Sequence, residues 1–381
     1  MSIVNAGGEG GETTGNGILI IDAETNDTGS GAFVLADDVV VSGAYQYTYT
    51  LDYDPAGLSW YLQSTREEFA GTAEYPALVA GALLAWHIDL PQLHDRLHDL
   101  HWGIYEEAEE IEPAAWTGSP SDLRPWLHVI SGSQEVDTDT SFDQQSLKLE
   151  GGVDAVMDAA NGGHYLLGAF AGAGRHEQNF EASSSNAEAD AALGGVYAGY
   201  RAAAFYGNAI IKYEHQWIDY RGAATGDEAA PFEAGVAGVS LESGYRFAFD
   251  QAYVQPRARL SYAHAWLSSF DDSSGETVNL RNAESLLGEL GARLGVSLPR
   301  AWGVAHVHLD AGLRHEFLGN TRAEVSDLVY THELPGTVGV VAAGAAMTFL
   351  EDKLSLLLDA GYARGEEAEE VTAAAGLRVM Y

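Results

Sequence analysis

Ala305-His306-Val307-His308-Leu309-Asp310-Ala311-Gly312-Leu313-Arg314 alternates in polarity without a break. Successive side chains of a strand point to opposite faces, so Ala305, Val307, Leu309, Ala311 and Leu313 share one face and His306, His308, Asp310, Gly312 and Arg314 the other. The last segment repeats this, with Val371, Ala373, Ala375, Leu377, Val379 and Tyr381 set against Thr372, Ala374, Gly376, Arg378 and Met380. Between 286 and 298, Glu289, Arg293 and Ser297 lie opposite Leu290, Leu294 and Val296. Long strands with one apolar and one charged face, repeated along a chain, fit a closed barrel with lipid outside and a polar lumen.

Twelve segments carry the pattern, at 124–131, 145–157, 164–175, 189–201, 206–219, 233–247, 252–266, 282–298, 302–317, 337–349, 353–363 and 370–381. An even count suits a single-chain bacterial barrel. The connections sort by parity: 158–163, 202–205, 248–251, 299–301 and 350–352 are short, whereas 132–144, 176–188, 220–232, 267–281 and 318–336 are long. Membrane barrels collect short turns at one interface and long loops at the other; a soluble sandwich has no reason to. Tyr165, Tyr206, Phe247, Phe249, Tyr253, Trp302, Phe349 and Tyr381 stand beside the short turns, and Phe142, Phe180, Trp217, Tyr220, Trp266, Phe270 and Phe317 beside the long loops. They are expected to form two interfacial girdles.

The 381 residues include no cysteine and carry a formal net charge of -37. Lack of cysteine excludes disulfides, thiolate nucleophiles and cysteine-ligated metals. The acidity repels phosphate backbones, which excludes nucleic acid as a partner. No run of about 18 apolar residues occurs, which excludes a transmembrane helix but not a barrel, whose strands each contribute only about ten alternating residues. Ser2 to Gly17 are small and polar, so no signal peptide starts at Met1, and export would require sequence upstream of it. No G-x-S-x-G, H-E-x-x-H, P-loop or dinucleotide fingerprint is present, and an enzyme reading has no anchor.

Upstream of the barrel, Gly17-Ile18-Leu19-Ile20-Ile21-Asp22, Ala32-Phe33-Val34-Leu35 and Tyr45-Gln46-Tyr47-Thr48-Tyr49-Thr50-Leu51 read as short strands, closed by Trp60-Tyr61-Leu62. From Tyr75 to Trp102 the pattern turns helical, with Ala77, Leu78, Ala80, Ala82, Leu83, Leu84 and Trp86 as an apolar stretch. Asp89, Leu90 and Pro91 mark a second helix start, the proline in the first turn and the aspartate as its cap. Leu93, Leu97 and Leu100 then make an i, i+4, i+7 stripe with Asp95, Arg96 and Asp99 off it. At 1.5 Å per residue the helical stretch is long enough for a lumen about 30 Å long.

The order of β-helix end, helix and barrel resembles the classical autotransporters of type V secretion over nearly the whole chain. Thr13-Thr14-Gly15-Asn16-Gly17-Ile18, Ala32-Phe33-Val34-Leu35, Gly43-Ala44-Tyr45-Gln46-Tyr47 and Trp60-Tyr61-Leu62 resemble the pertactin-like passenger terminus, which caps the β-helix and assists passenger folding. Arg96-Leu97-His98-Asp99-Leu100 resembles the end of the linker helix that threads the barrel. Gln255-Pro256-Arg257-Ala258-Arg259-Leu260-Ser261-Tyr262 with Ser285-Leu286-Leu287-Gly288-Glu289-Leu290-Gly291 resembles a barrel signature, the most specific of these matches. Two positions depart from the family. Where some relatives release the passenger by attack of an asparagine in an Asn-Asn pair, Pro91 and Gln92 stand here, so that cleavage is not expected. The terminal residue is Tyr381 rather than phenylalanine.

The expected protein is therefore all-β: a 12-stranded antiparallel transmembrane β-barrel with an α-helix in the lumen, preceded by the C-terminal end of a passenger β-helix. Residues 1–71 are expected to be the autochaperone-like passenger end, 72–112 the linker with the lumen helix, and 113–381 the outer-membrane barrel. Leu93, Asp95, Arg96, Leu97, Asp99 and Leu100 are expected on the lumen helix, and Arg257, Arg259, Glu289, Arg293, Arg314 and Arg378 on the lumen wall, their charges holding the plug. Leu377, Val379 and Tyr381 are the expected assembly signal.

His94, His98 and His101 share a helical face and with His87 could bind zinc or nickel weakly; the alternative is a polar stripe facing the lumen, and no resident metal, cofactor or catalytic residue is expected. The acidic pairs Asp271-Asp272, Glu366-Glu367 and Glu369-Glu370 could share divalent cations with lipopolysaccharide, or be a solvated face. The implied partners are outer-membrane lipid and lipopolysaccharide, the barrel-assembly machinery, periplasmic chaperones and the chain's own passenger, around a monomer in the outer membrane of a Gram-negative bacterium with the passenger end at the cell surface. A passive porin-like channel is the competing reading, and a soluble carbohydrate-binding or hydrolytic protein a third.

Overall fold

The computed structural model describes residues 11–23, 29–102, 123–159, 162–222, 229–272, 275–300, 303–349 and 354–379. Four strands come first: β1 (Ile18–Asp22), β2 (Val39–Ser42), β3 (Tyr45–Asp54) and β4 (Ser59–Glu68), paired antiparallel in the order β1-β4-β3-β2. A single 3-10 turn (Ala70–Ala73) leads into α1 (Glu74–His87) and α2 (Leu90–Trp102). The expected strand at Ala32-Phe33-Val34-Leu35 does not form. Val39–Ser42 takes the edge of β3 instead, and the Phe33 ring packs edge-on against the buried Trp60 at 4.9 Å.

The barrel follows as β5 (Arg124–Val136), β6 (Phe142–Asp158), β7 (His164–Phe180), β8 (Asn186–Ala202), β9 (Phe205–Arg221) and β10 (Ala230–Tyr245). A short β11 (Phe247–Phe249) folds back on β12 (Ala252–Leu267), and β13 (Phe270–Asp271) and β14 (Thr277–Leu280) interrupt the next connection. β15 (Ala283–Arg300) and β16 (Gly303–Glu316) precede a hairpin of β17 (Asn320–Val325) and β18 (Leu328–Glu333). β19 (Thr337–Phe349), β20 (Leu354–Gly365) and β21 (Ala368–Val379) complete the wall. Twelve long antiparallel strands close on themselves: β21 pairs with β5, from Arg378↔Trp126 to Ala368↔Val136. Closure leaves no unpaired edge, which a wall facing hydrocarbon requires.

Period-two alternation sorts the side chains. Leu290, Leu309 and Leu313 are 70%, 53% and 63% exposed on the outer face, while Glu289, His308 and Asp310 are buried on the inner one. The strands run further than the alternation suggested. The connections expected at 132–144 and 176–188 shrink to 137–141 and 181–185, because ladder hydrogen bonds continue past the apolar band where both faces are polar. The loops after β12 and β16 stay long and build a sheet of their own, β13-β14-β17-β18, over that end of the barrel.

Six of the expected girdle aromatics turn inward. Tyr206, Tyr253, Phe142, Phe180, Tyr220 and Phe270 are buried, whereas Tyr165, Phe247, Phe249, Trp217, Trp266 and Phe317 are exposed on the outside. Height along a strand puts an aromatic at an interface, but parity decides which side of the wall it takes; Phe270, in the loop sheet, is buried instead by packing on Tyr75 and Phe232. Trp302 and Tyr381 lie outside the described residues.

Candidate functional site in the occupied lumen

Both helices occupy the barrel. Every residue of α1 except Leu84 is buried, which no helix packed on one face of a soluble core would show. At the long-loop end, Tyr75 lies edge-on to Tyr220 and Phe270, at 6.1 and 5.6 Å, and the Tyr220 hydroxyl donates to Glu74 Oε2 at 2.6 Å. Thr321 Oγ1 of β17 donates to the Pro76 carbonyl at 2.7 Å, so the loop sheet is tied to the start of α1. The same sheet meets the N-terminal strands: the Gly43 amide donates to Asp272 Oδ2 at 2.8 Å and the Ala44 amide to Ser326 Oγ at 3.2 Å.

Small residues let the wall reach the backbone of α1. Gln178 Nε2 donates to the Ala77 carbonyl at 2.9 Å, Gln144 Nε2 to Gly81 at 3.1 Å and Gln216 Nε2 to Ala82 at 3.2 Å. At Gly81 a Cβ would lie 2.6 Å from Gln178 Oε1 and 2.8 Å from Gln144 Oε1, so the amides close over bare backbone. α1 stops at His87 because Pro91 has no amide hydrogen and its ring would strike the carbonyl four residues back. The carbonyls freed at that end form the negative pole of the helix. Lys148 Nζ caps Ala85 at 2.6 Å, and Lys212 Nζ caps Trp86. Both ammonium groups also reach Asp89 Oδ1, and Lys148 pairs with Glu214 at 2.6 Å. Asp89, expected as the cap of α2, serves instead as the counter-ion of two wall lysines.

α2 is held chiefly by its side chains, with one backbone contact near its end, where Arg201 of β8 donates to the His101 carbonyl. Arg96 makes a bidentate pair with Asp154 of β6, both bonds 2.8 Å, while its guanidinium lies 4.0 Å over the Trp126 ring and donates to Tyr197 Oη at 2.6 Å. On the opposite side, Asp95 accepts from Arg293 and, at 3.4 Å, from Arg257. Arg293 also bonds Asp310 at 2.9 Å, and Arg257 bonds Glu289 at 3.2 Å. Leu93, Leu97 and Leu100 join one buried apolar cluster with Val156, Leu166 and Ile210.

Among the described residues, the hydrogen bonds and ion pairs of the other expected wall cations go to the wall. Arg259 pairs with Glu242 at 2.7 Å and Glu289 at 3.5 Å, and Arg314 with Glu370 at 2.9 Å. Arg378 donates to Ser355 Oγ at 2.9 Å. Asp99 stays beside His98, 3.7 Å from Nδ1. The linker histidines do not converge on one point. His87 bonds Ser285 at 2.9 Å, His94 bonds Ser240 at 2.7 Å, His98 bonds Gln255 at 2.9 Å, and His101 bonds Asn208 at 2.7 Å, each a different strand's residue. Leu377 is exposed on the outer face, Val379 is half-buried, and Tyr381 lies outside the described residues.

Lys148, Lys212, Glu214, Asp154 and the three glutamines were not singled out from the sequence. The lysines left a signal: the chain has three, and these two fall on inward positions of alternating strands.

A closed, lipid-facing barrel whose lumen is filled by a helix from its own N-terminal side defines an outer-membrane translocator module rather than an open channel. The family described as Autotransporter beta-domain matches residues 125–361, and the chain belongs to it. As a member of that family it is an outer-membrane translocator module, a domain that serves secretion. Residues 1–49 match the Autochaperone Domain Type 1.

Among curated relatives, Autotransporter CRAC of Citrobacter rodentium (strain ICC168) is 28% identical over 198 residues, covering 49% of this chain and 12% of the relative. Autotransporter adhesin/invasin TibA of Escherichia coli O78:H11 is 25% identical over 210 residues, covering 52% of this chain and 21% of the relative. The chain thus spans about an eighth to a fifth of those proteins. The β-domain of the Bordetella autotransporter BrkA superposes with a TM-score of 0.58 at 21% identity, covering 68% of this chain and all of that one. The translocator domain of NalP from Neisseria meningitidis gives 0.58 at 17%, covering 82% and 100%.

Proposed function

We propose that this module lets its passenger cross the lumen outward and then keeps the connecting helix there as a plug, with the N-terminal strands left at the cell surface as the end of the passenger stem. Residues 1–71 serve as that autochaperone-like end, 72–112 as the linker and 113–381 as the anchor. The carrying observation is the double grip on the helix: wall donors on the α1 carbonyls, and Arg96 with Asp95 paired to opposite walls. A porin would have no use for such a fit.

The periplasm supplies no nucleotide, so passenger folding outside is taken as the driving force. The barrel-assembly machinery and periplasmic chaperones are the proposed partners, with lipopolysaccharide around the upper rim and a monomer as the working unit. Deleting residues 75–102 should open a conducting pore in planar bilayers and lower the temperature at which the barrel unfolds on a gel. Unchanged conductance would remove the plug from this account. Leu377, Val379 and Tyr381 form the proposed assembly signal, an apolar edge ending in an aromatic that tolerates a wet interface. Tyr381→Ser should abolish surface protease accessibility of residues 18–62 in intact cells; normal display would show that the aromatic is not read.

A further inference from the structure

The charges around Asp95 do not balance. Contacts within 4 Å connect Asp95, Glu242, Glu289, Asp310 and Asp359 with Arg257, Arg259 and Arg293, and His308 links Asp359 to the rest. Five carboxylates meet three guanidiniums, which leaves two negative charges in a space largely closed to water. A buried charge without a partner is costly, so something must offset them. Asp359 is the carboxylate left over: among the described residues its ionic neighbour is the His308 ring, Nε2 standing 3.7 Å from Oδ1.

That ring is 6% exposed, and its Nε2 has no hydrogen-bond partner. Arg257 and Arg293 both take Oδ1 of Asp95, which leaves Oδ2 for another ligand. One ligand atom each from Asp95, His308 and Asp359 falls within 4.8 Å of the others. Gly344 forms the floor of this cradle, since a Cβ there would collide with both Asp359 and His308.

We propose that Asp95, His308 and Asp359 bind one divalent cation of the zinc type. An imidazole with two carboxylates suits zinc, which takes nitrogen and oxygen at about 2.0–2.2 Å, better than calcium or magnesium, which prefer oxygen alone. Two positive charges cancel the two negative ones in excess. The ligands come from α2, β16 and β20, so the site is complete only with α2 seated, and the cation clamps the plug to the wall on the Arg293 side. This rests on α2 lying in the lumen and not on export, and metal uptake by purified protein can fail or succeed independently of surface display.

Zinc titration of the full chain in detergent tests the site, in a background of His215→Ala and His264→Ala that removes two exposed His–Glu pairs. One zinc per chain is expected, together with a visible Co²⁺ spectrum of a site with a nitrogen ligand. Affinity should fall at least ~10-fold in Asp359→Asn and in His308→Gln, each still migrating as a folded barrel. Gly344→Ala, which fills the cradle and removes no ligand, should weaken binding similarly. Absence of saturable uptake below millimolar zinc would mean that protons offset the carboxylates, and it overturns the proposal. Uptake unchanged in Asp359→Asn with His308→Gln overturns it equally.

Discussion

α1 and α2 lie in one lumen, yet the wall grips the middle and end of the first mainly through its backbone, and the second mainly through charged side chains. Three glutamine amides and two lysine ammonium groups meet α1 at carbonyl oxygens, which any small residue would present. α2 offers Arg96 and Asp95, and each is met by an oppositely charged wall residue. The difference teaches a division of labour. A backbone grip holds a helix of many sequences but sets its register weakly, because carbonyls recur at every residue. A bidentate pair at one residue fixes depth and rotation together.

The largest test of that contrast is Arg96→Met. Removing it leaves Asp154 buried with Tyr197 as its remaining partner, a loss of about 3–5 kcal/mol in stability. The midpoint of heat-induced unfolding on a gel should drop steeply, and adding Asp154→Asn should recover much of it by removing the stranded charge. If Arg96→Met is no worse than a change beside α1, both helices are held alike and the contrast fails. Gln178→Leu is that milder change. The Ala77 carbonyl keeps its helical hydrogen bond, so about 1 kcal/mol should be lost, visible as a small shift of the same midpoint.

The smallest effect concerns the loop sheet above α1. Burial pushes the His332 imidazole down to about 4, with Asp139 partly opposing this; the ring lies 5.8 Å from Phe142 and bonds Thr138 Oγ1 at 3.1 Å. Because the folded value lies below the ordinary value of 6.5, the hairpin is fully stabilised above pH 6.5 and loses that stability as pH falls toward 4. Hydrogen exchange in residues 320–333 should quicken over that window, with exchange in the barrel strands unchanged. His332→Gln should remove the pH dependence; equal acceleration throughout the wall would point to global loosening instead.

Much of the architecture was legible because a strand buried on one side writes its geometry as period-two alternation. His308 and Asp310 read as inward and Leu309 and Leu313 as outward from the sequence, and they stand so. The β13-β14-β17-β18 sheet was not legible, since its strands are short and lie outside any lipid that would enforce alternation. Phe33 had the residue type of a strand but no edge to pair with.

The sequence by itself determined the number of barrel strands, the facing of their residues, and the helix break at Pro91, because each follows from neighbours along the chain: alternation, and a proline that cannot accept the turn before it. Tertiary structure alone decided which charges meet. Register between strands and the depth of α2 put Arg96 opposite Asp154 rather than Glu150, and gave Asp95 to Arg293 and Arg257 while Arg314 and Arg378 went to wall partners. Those pairings span up to 198 positions of chain, and a separation that long is set by closure of the barrel, which no local pattern encodes.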